Sequence, residues 1–251
     1  MEITIAGYGF VGKAHAQILK EYYDINIADP ILLETTVSDY VDETEAVICC
    51  VSTPQADDGS CDMTNVYNVI ETTPWATPIL IKSTISLEGW DYIKNNYPDH
   101  NITFSPEFLV AATAYEDFSN TKHLYLGGDG TALWTDVFSN VFSDVTYEEL
   151  TVPELIMIKY GRNTFLATKV AYFNQLHDVC AAKNINFDKV AAGIGQDNRI
   201  GTSHTQITAQ RGFGGHCFPK DTSAMLATSK LYTATMSILE SAVVYNNKIR
   251  K

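Results

Sequence analysis

Near its N-terminus the chain reads Gly7-Tyr8-Gly9-Phe10-Val11-Gly12, a G-x-G-x-x-G pattern that follows a β-type run at residues 2–6 and precedes a segment of helical character. Gly7 is expected to make the turn after the strand, Gly9 to let a pyrophosphate approach the backbone, and Gly12 to let helix and strand pack closely. The N–H groups at the start of such a helix attract phosphate. This stretch therefore predicts a strand, a turn and a helix that together bind a dinucleotide.

An acidic residue follows at the end of the next β-type run, where residues 25–28 lead into Asp29. A carboxylate at this distance from the glycines accepts hydrogen bonds from a ribose hydroxyl. It would also repel the 2′-phosphate of NADP, because both groups are negatively charged. The pattern therefore favours NAD as the cofactor.

Short apolar runs recur along the first part of the chain and alternate with stretches of helical character. They lie at residues 46–51, 78–84, 102–107 and 123–128. Continuous apolar runs of this length are typical of buried parallel strands, and strands that alternate with helices predict a doubly wound parallel sheet. Residues 1–150 are therefore expected to form an α/β, Rossmann-like NAD-binding domain.

The remainder of the chain, residues 151–251, is expected to form an all-α domain that starts with one long helix. Thr151-Val152-Pro153-Glu154 has the spacing of a capping box, with proline tolerated in the first turn. Lys159 and Asn163 are four residues apart and therefore share one face of this helix. Residues 231–251 are typical of a terminal helix.

A second glycine-rich stretch lies in the helical part and reads Gly212-Phe213-Gly214-Gly215-His216-Cys217-Phe218-Pro219-Lys220-Asp221. Glycines let a loop fold closely around a ligand. Positive charge near a thiol, here from Lys220, favours the nucleophilic thiolate. The other interpretation is a glycine turn followed by an inert, buried cysteine. On its own this stretch leaves both interpretations open.

Composition and charge narrow the classes of function. The five cysteines show no metal-ligand spacing, which predicts reduced thiols in a cytoplasmic protein without a metal site. No apolar run is long enough to span a bilayer, so no membrane partner is expected. Residues 1–150 carry 5 Lys and Arg against 24 Asp and Glu, whereas residues 151–251 carry 12 against 6. The acidic first part disfavours nucleic acid as a partner, and the basic second part suits an anionic small molecule.

The ordered motifs of the chain resemble those of the nucleotide-sugar dehydrogenases, the UDP-glucose 6-dehydrogenase and GDP-mannose dehydrogenase family. Besides the two glycine-rich stretches, the matching motifs are Val51-Ser52-Thr53-Pro54, Asp58-Gly59-Ser60-Cys61-Asp62, Lys82-Ser83-Thr84, Ser105-Pro106-Glu107-Phe108-Leu109, Asn163-Thr164-Phe165-Leu166-Ala167 after Lys159, and Asp197-Asn198-Arg199-Ile200-Gly201. The resemblance implies that the primary alcohol of a nucleotide sugar, most simply UDP-glucose, is oxidised to a carboxylate with two NAD. It implies further that a cysteine captures the intermediate aldehyde and carries it as a thioester, which water hydrolyses.

The resemblance also implies roles for single residues. The expected catalytic residues are Cys217 as nucleophile, Lys159 and Asn163 as stabilisers of negative charge on the reacting oxygen, Glu107 in proton transfer, and Thr84 and Asp221 as holders of a water. The expected cofactor-binding residues are Gly7, Gly9, Phe10, Val11, Gly12, Asp29, Val51, Thr53, Pro54, Thr84 and Lys220. The expected substrate-binding residues are Glu107, Leu109, Lys159, Asn163, Arg199, Gly212, Phe213 and Gly214. Arg199 matches an arginine that in the family reaches the substrate of a neighbouring subunit, which implies a homodimer through the helical domain.

The chain departs from the family pattern at several positions. Ala111 and Ile156 stand where the family carries acidic residues, and His216 precedes the cysteine where serine is usual. Family members also continue into a further domain that binds much of the nucleotide half of the substrate. The resemblance then implies that the helical region binds the substrate unaided, that another chain supplies this domain, or that the protein no longer turns over. Two alternatives therefore stay open. One is a two-electron dehydrogenase of the 6-phosphogluconate or 3-hydroxyacid type, which needs no such cysteine, and the other is a non-catalytic NAD-binding accessory subunit.

Overall fold

The computed structural model describes residues 1–251 and falls into two compact units. The first unit comprises Met1–Pro54 and Cys61–Lys159, and the second comprises Gln55–Ser60 and Tyr160–Lys251. The short first segment of the second unit is held there by the hydroxyl of Ser223, which donates a hydrogen bond to the carbonyl of Gly59 at 2.9 Å. The division between the units lies later in the chain than the boundary expected at residue 150.

Seven strands form a single sheet in the first unit. They are β1 (Glu2–Ala6), β2 (Asp24–Ala28), β3 (Ala46–Cys49), β4 (Ile79–Ile81), β5 (Ile102–Phe104), β6 (His123–Gly128) and β7 (Thr146–Glu149). Their order across the sheet is β2-β1-β3-β4-β5-β6-β7, and every neighbouring pair is parallel except β5 and β6. The central strands β3, β4 and β5 are fully buried, as their apolar runs predicted.

Five helices of the first unit alternate with these strands. They are α1 (Phe10–Leu19), α2 (Thr64–Thr72), α3 (Leu87–Asn96), α4 (Ala114–Ser119) and α5 (Thr131–Ser139). A core cluster joins β1 to α1, α4 and α5 through side chains that include Ile5, Leu19, Phe118 and Trp134. This arrangement confirms the predicted doubly wound, Rossmann-like α/β fold. The antiparallel direction of β6 was not predicted, because an apolar run does not encode the direction in which a strand pairs.

Four helices complete the chain. They are α6 (Val152–Ala182), α7 (Phe187–Gly195), α8 (Cys217–Leu231) and α9 (Ser237–Ile249). Helix α6, with 31 residues, confirms the predicted long helix. Its capping box forms as expected, since the Glu154 carboxylate accepts hydrogen bonds from the backbone N–H (2.9 Å) and the hydroxyl (2.6 Å) of Thr151. The first turns of α6 bury Leu155 and Ile156, and this packing explains why the first unit extends to Lys159.

The terminal helix expected at residues 231–251 is present as α9, but it begins several residues later than expected. Helix α8 ends at Leu231 and α9 begins at Ser237. Between them Thr233 has a φ of 54°, a left-handed conformation that interrupts a helix and is uncommon for a β-branched residue. The sequence pattern does not reveal this break, because threonine gives no local signal for a left-handed turn.

One buried titratable residue of the first unit affects its stability in acid. His15 lies in α1, and its ring stacks on that of Phe118 with centroids 4.0 Å apart. Burial, together with the positive charge of Lys82, lowers the pKa of His15 to about 3, although a hydrogen bond to the carbonyl of Val11 opposes the shift. An unfolded histidine titrates near pH 6.5. Between these two values the unfolded state therefore binds one proton more than the folded state.

This difference gives a prediction with a defined sign. The free energy of unfolding should fall as the pH drops below 6.5, and His15 should account for about 2 kcal/mol of the fall between pH 7.5 and pH 5. The His15→Leu variant should lack this contribution in urea denaturation at the two pH values. His123→Gln, at an exposed histidine, is the control and should keep the wild-type pH dependence. An unchanged pH dependence in His15→Leu would refute the assignment.

Candidate functional site

The parallel part of the sheet brings many of the predicted site residues together at the carboxyl ends of its strands. Strands β2-β1-β3-β4-β5 lie next to one another and point the same way, so the residues that follow them meet at their carboxyl ends. These residues are Asp29 after β2, Gly7 after β1, Val51, Thr53 and Pro54 after β3, Thr84 after β4, and Glu107 and Leu109 after β5. Their common location is the arrangement that dinucleotide-binding sheets use.

Two of the three glycines of the first motif, Gly7 and Gly12, are required by close approaches of the backbone. Gly7 has a φ of +91°, and a Cβ atom there would lie 2.8 Å from the carbonyl of Cys50. A Cβ atom at Gly12 would lie 2.0 Å from the carbonyl oxygen of Gly7. Gly9 differs, because a Cβ atom there would meet nothing within 4 Å. The open space at Gly9 lies directly before Phe10, Val11 and Gly12, whose N–H groups begin α1 and lack partners within the helix.

The carboxylate of Asp29 is oriented by the backbone around it. One oxygen accepts a hydrogen bond from the N–H of Tyr8 at 2.7 Å, and the other accepts from Ile31 at 3.0 Å and Leu32 at 2.9 Å. Partial desolvation on its own would raise the pKa of Asp29, but these hydrogen bonds and the nearby charge of Lys13 lower the pKa overall. Asp29 is therefore a fixed anion beside the glycine turn.

A cavity of about 250 Å³ opens next to Asp29. Its lining comes from the ends of β1, β2 and β3 and from α2, and includes Gly7, Asp29, Ile31, Val37, Asn65, Asn68 and Thr72. Apolar walls with a few polar groups are typical of sites for flat heterocycles, and the volume suits part of a dinucleotide rather than all of it. The cavity, the fixed carboxylate and the uncapped start of α1 together fit an adenosine and a pyrophosphate.

Two predicted catalytic residues contact each other within the first unit. The ammonium of Lys159 donates a hydrogen bond to the backbone carbonyl of Glu107 and lies 3.6 Å from its carboxylate Oε2. The carboxylate in turn accepts a hydrogen bond from the N–H of Leu109. Both charged side chains are buried. A buried amine beside a buried carboxylate can hold charge on a reacting oxygen and move a proton.

Lys82 is a third charged residue of this group, and its motif did not predict a role for it. It follows β4, is buried, and donates a hydrogen bond to the hydroxyl of Ser105 at 2.9 Å. Burial lowers the pKa of Lys82 to about 8, with Lys159 adding to the shift and Glu107 and Cys50 opposing it. A lysine at the end of an apolar run was the only sequence signal, and its burial follows from the neighbouring strands.

Another group of predicted residues meets within the second unit. The side-chain amide of Asn163 donates a hydrogen bond to Asp221 Oδ2 at 2.5 Å. Lys220 Nζ lies 2.7 Å from Asp221 Oδ1, an ion pair whose angles do not suit a hydrogen bond. Asp221 is fully buried. Cys217 is four residues earlier on α8, so the thiol and the carboxylate share one face of that helix.

Cys217 is the first residue of α8 rather than part of a loop, which corrects the expectation of a cysteine loop. Gly215, with a φ of +76°, makes the turn, and His216 precedes the helix without a side-chain capping bond. Pro219 fits because the first turn of a helix needs no N–H donor at that point. The start of a helix favours negative charge, so this placement suits a thiolate.

The remaining predicted substrate residues lie in the second unit. Gly212, Phe213 and Gly214 precede α8, and Phe213 is buried. Arg199 follows α7 with an exposed side chain that pairs with Asp197 at 2.5 Å. The predicted catalytic residues thus form two groups, Glu107 and Lys159 with Thr84 in the first unit, and Asn163, Cys217 and Asp221 in the second.

One departure from the family pattern has a structural explanation. Ile156 is fully buried in the first unit, so an apolar side chain fits its surroundings. Ala111, by contrast, is exposed, and nothing in the structure explains the absence of an acid there. No group of three or more His, Cys, Asp and Glu side chains is arranged to hold a metal ion. Nor is any helix long and apolar enough to cross a membrane.

Comparison with known proteins adds to this geometry. Residues 18–146 match the profile described as the UDP-glucose/GDP-mannose dehydrogenase family, NAD binding domain, and residues 155–248 match the central domain of the same family. A UDP-glucose 6-dehydrogenase of Rickettsia bellii is 34% identical over 220 residues, which are 82% of this chain and 50% of that protein. One from Rhizobium meliloti is 29% identical over 246 residues, which are 90% of this chain and 54% of that protein.

The fold also matches a solved structure. A UDP-glucose dehydrogenase from the hyperthermophilic archaeon Pyrobaculum islandicum superposes with a TM-score of 0.82 at 22% identity, over 98% of this chain and 68% of that one. At this identity the likeness concerns the fold alone. The chain spans about half the length of the curated relatives it matches.

Proposed function

Since the chain belongs to the UDP-glucose/GDP-mannose dehydrogenase family, we propose that it oxidises the primary alcohol of a nucleotide sugar, UDP-glucose or a close relative, to a carboxylate. The observation that carries this proposal is the buried Asp221, bonded to Asn163 and placed one helical turn after Cys217. A structural role would not require a buried carboxylate, a lysine and a thiol at the start of one helix. We also keep residues 1–150 as the NAD-binding part and residues 151–251 as the substrate-binding part.

NAD is the cofactor of this family, and residues 18–146 match the family's NAD-binding domain. When bound, NAD supplies a hydride acceptor. We propose that Gly7, Gly9, Phe10, Val11, Gly12 and Asp29 hold its adenosine and pyrophosphate. We further propose that Val51, Thr53, Pro54, Thr84 and Lys220 contact the rest of the cofactor. The orientation of Asp29 by three backbone N–H groups supports the preference for a ribose with a free 2′-hydroxyl.

The other side chains have three proposed tasks: to stabilise charge on the sugar oxygen, to transfer a proton and to supply the attacking sulfur. Lys159 stabilises the negative charge on the sugar oxygen, and Glu107, next to it, takes part in proton transfer. The Cys217 thiolate attacks the aldehyde carbon, so that a C–S bond forms and the oxygen becomes an alkoxide that takes up a proton.

The resulting thiohemiacetal would lose a hydride to a second NAD, which gives the thioester. A water, for which we propose Thr84 and Asp221 as holders, would then attack the carbonyl carbon. The C–S bond then breaks and the thiolate of Cys217 returns. A thiolate that must persist between turnovers suits a reducing compartment, and we place the activity in the cytoplasm.

The proposal is tested by product stoichiometry. Purified protein is given NAD and UDP-glucose, and NADH and uronate are counted in the same sample. Two NADH per uronate would support the cysteine mechanism. One NADH per oxidised sugar, with no carboxylate, would favour the two-electron dehydrogenase. Measurable NAD binding without NADH release on any nucleotide sugar would favour the accessory subunit.

We further propose that the second unit forms a homodimer through α6. Phe165, Tyr172 and Val179 are seven residues apart, lie along one stripe of this helix, and are 68%, 58% and 62% exposed. Beside the stripe a groove of about 360 Å³ is lined by α6 and α9, with Tyr172 and the exposed Ile238 at its border. An apolar heptad stripe on a long helix is complementary to a second copy of itself. Light scattering should give twice the chain mass of 27.8 kDa; the single mass would contradict the dimer.

A further inference from the structure

Two buried asparagines hold the backbone that leads to Cys217. Asn174 on α6 is 1% exposed and Asn246 on α9 is 5% exposed. The side-chain oxygen of Asn174 accepts a hydrogen bond from the N–H of Gly212 at 3.1 Å, and that of Asn246 accepts from the N–H of Phe213 at 2.6 Å. Two consecutive backbone donors are therefore satisfied by side chains of two different helices. Neither asparagine belongs to the predicted catalytic or binding residues.

The held segment contains two consecutive residues in the left-handed region of backbone conformation. Arg211 and Gly212 have φ angles of 58° and 56°, and a left-handed arginine costs on the order of 1 kcal/mol. The Arg211 guanidinium bonds to Asn174 Oδ1 at 2.8 Å and to Asp178 at 2.7 Å. A Cβ atom at Gly212 would lie 2.2 Å from Asn246 Oδ1. The glycine and the asparagine are therefore matched in shape as well as in hydrogen bonding.

Arg250, just after α9, closes the same segment from the other side. Its guanidinium donates to the carbonyl of Arg211 at 2.9 Å and to the side-chain carbonyl of Gln210 at 2.9 Å. A Cβ atom at Gly214 would lie 2.2 Å from Arg250 Nη2, so the arginine packs directly on the backbone. The end of α9 thus fixes the segment through Asn246 and Arg250 together.

The path from this segment to the thiol is short. Only Gly214, Gly215 and His216 separate Phe213 from Cys217, and the two glycines add little stiffness of their own. Phe213 is buried, and its ring meets that of Phe218, directly after the cysteine, at a centroid distance of 6.5 Å. This ring contact spans the two glycines and therefore links the position of residues 212–213 to the start of α8.

We propose that Asn174 and Asn246 are positioning residues, which fix the backbone at residues 212–213 and thereby the location of the Cys217 thiol at the start of α8. The proposal rests on the proposed function for its catalytic meaning, because capture of an aldehyde requires the sulfur at a defined distance from the carbon. A misplacement of about 1 Å can cost on the order of a hundredfold in rate. The positioning itself is a property of the protein without substrate and can be measured there.

The first test measures the alkylation rates of two cysteines in the same molecule. Iodoacetamide reacts with thiolates, and mass spectrometry of the peptides gives separate rates for Cys217 and for Cys180, which is buried in the same unit. In Asn246→Leu the rate at Cys217 should change by about tenfold, as expected for loss of one buried hydrogen bond, while the rate at Cys180 stays at its wild-type value. Asn246→Asp keeps an oxygen acceptor for the N–H of Phe213 and should restore the wild-type rate. Asn174→Leu should behave like Asn246→Leu.

Other outcomes would overturn the proposal. A parallel rise at Cys180 and Cys217 would mean that the asparagine supports the whole unit rather than the thiol. An unchanged rate at Cys217 in both leucine variants would mean that the segment holds its place without them. The alkylation rates do not depend on turnover. If the wild type released no NADH, the proposed function would be refuted, but the alkylation rates would still test the positioning of Cys217.

The second test uses the products of an active wild type. A displaced thiol should capture the aldehyde less often, so that aldehyde escapes and Asn246→Leu releases more than two NADH per uronate. A variant with only a looser fold would lose rate while the ratio stays at two. A ratio of two in Asn246→Leu at lowered rate would therefore count against a positioning role.

Discussion

Cys217→Ala should abolish uronate formation, with a loss of at least about a thousandfold in the rate of carboxylate production. Alanine removes the sulfur that forms the C–S bond with the aldehyde, and no other thiol can replace it from within the second unit. The other cysteine of that unit, Cys180, is buried in α6. Alanine is a good helix former, so the start of α8 should be preserved.

The measurement is uronate and NADH in parallel after incubation with NAD and UDP-glucose. Cys180→Ala serves as the control, since it also removes one thiol from the second unit, and it should retain uronate production. Residual NADH with free aldehyde in Cys217→Ala would agree with the mechanism, because the first oxidation does not need the thiol. Uronate output at the wild-type level would exclude the thioester.

Lys159→Met should lower kcat by about a hundredfold to a thousandfold, the usual effect of removing one preorganised group that stabilises developing negative charge. The ammonium is buried and held by the backbone carbonyl of Glu107, so it needs little rearrangement to act. Methionine has a similar length and packs well in such a site. The loss therefore reports on the charge rather than on the volume of the side chain.

The affinity for NAD shows whether a lower kcat comes from the chemical step or from weaker binding of the cofactor. Since Lys159 is assigned to the substrate oxygen, the Kd of NAD for Lys159→Met should equal that of the wild type in a fluorescence titration. Lys159→Arg keeps the charge but not the geometry of the ammonium, and its kcat should lie between the two. A kcat for Lys159→Met within about threefold of the wild type would remove the residue from the mechanism.

Several local features could be predicted because their causes lie within a few residues. The turn at Gly7 and the close packing at Gly12 follow from the absence of a side chain, and the structure shows the backbone contacts that exclude one. The capping box at Thr151 and Glu154 joins residues three positions apart. The buried strands are visible in the sequence as continuous apolar runs, as β3 is.

Other features depend on residues that meet only after the chain has folded. Strand β7 is mostly exposed and polar, so no apolar run marks it, and it becomes a strand because it pairs with β6. The burial of Lys82 follows from the strands on both sides of β4. The break between α8 and α9 contains Thr233, whose positive φ no local sequence pattern predicts.

The candidate site shows the same distinction most clearly. The residue types of the site were recognised from motifs that are continuous in the chain, because turns, caps and helical spacing are governed by sterics and hydrogen bonds over a few positions. The contacts that orient the residues join Glu107 to Lys159 and Asn163 to Asp221, pairs 52 and 58 positions apart. The bonds from Asn174 and Asn246 to residues 212–213 span 38 and 33 positions. Such pairs form only where burial brings helices and strands together and excludes the water that would otherwise satisfy the same polar groups.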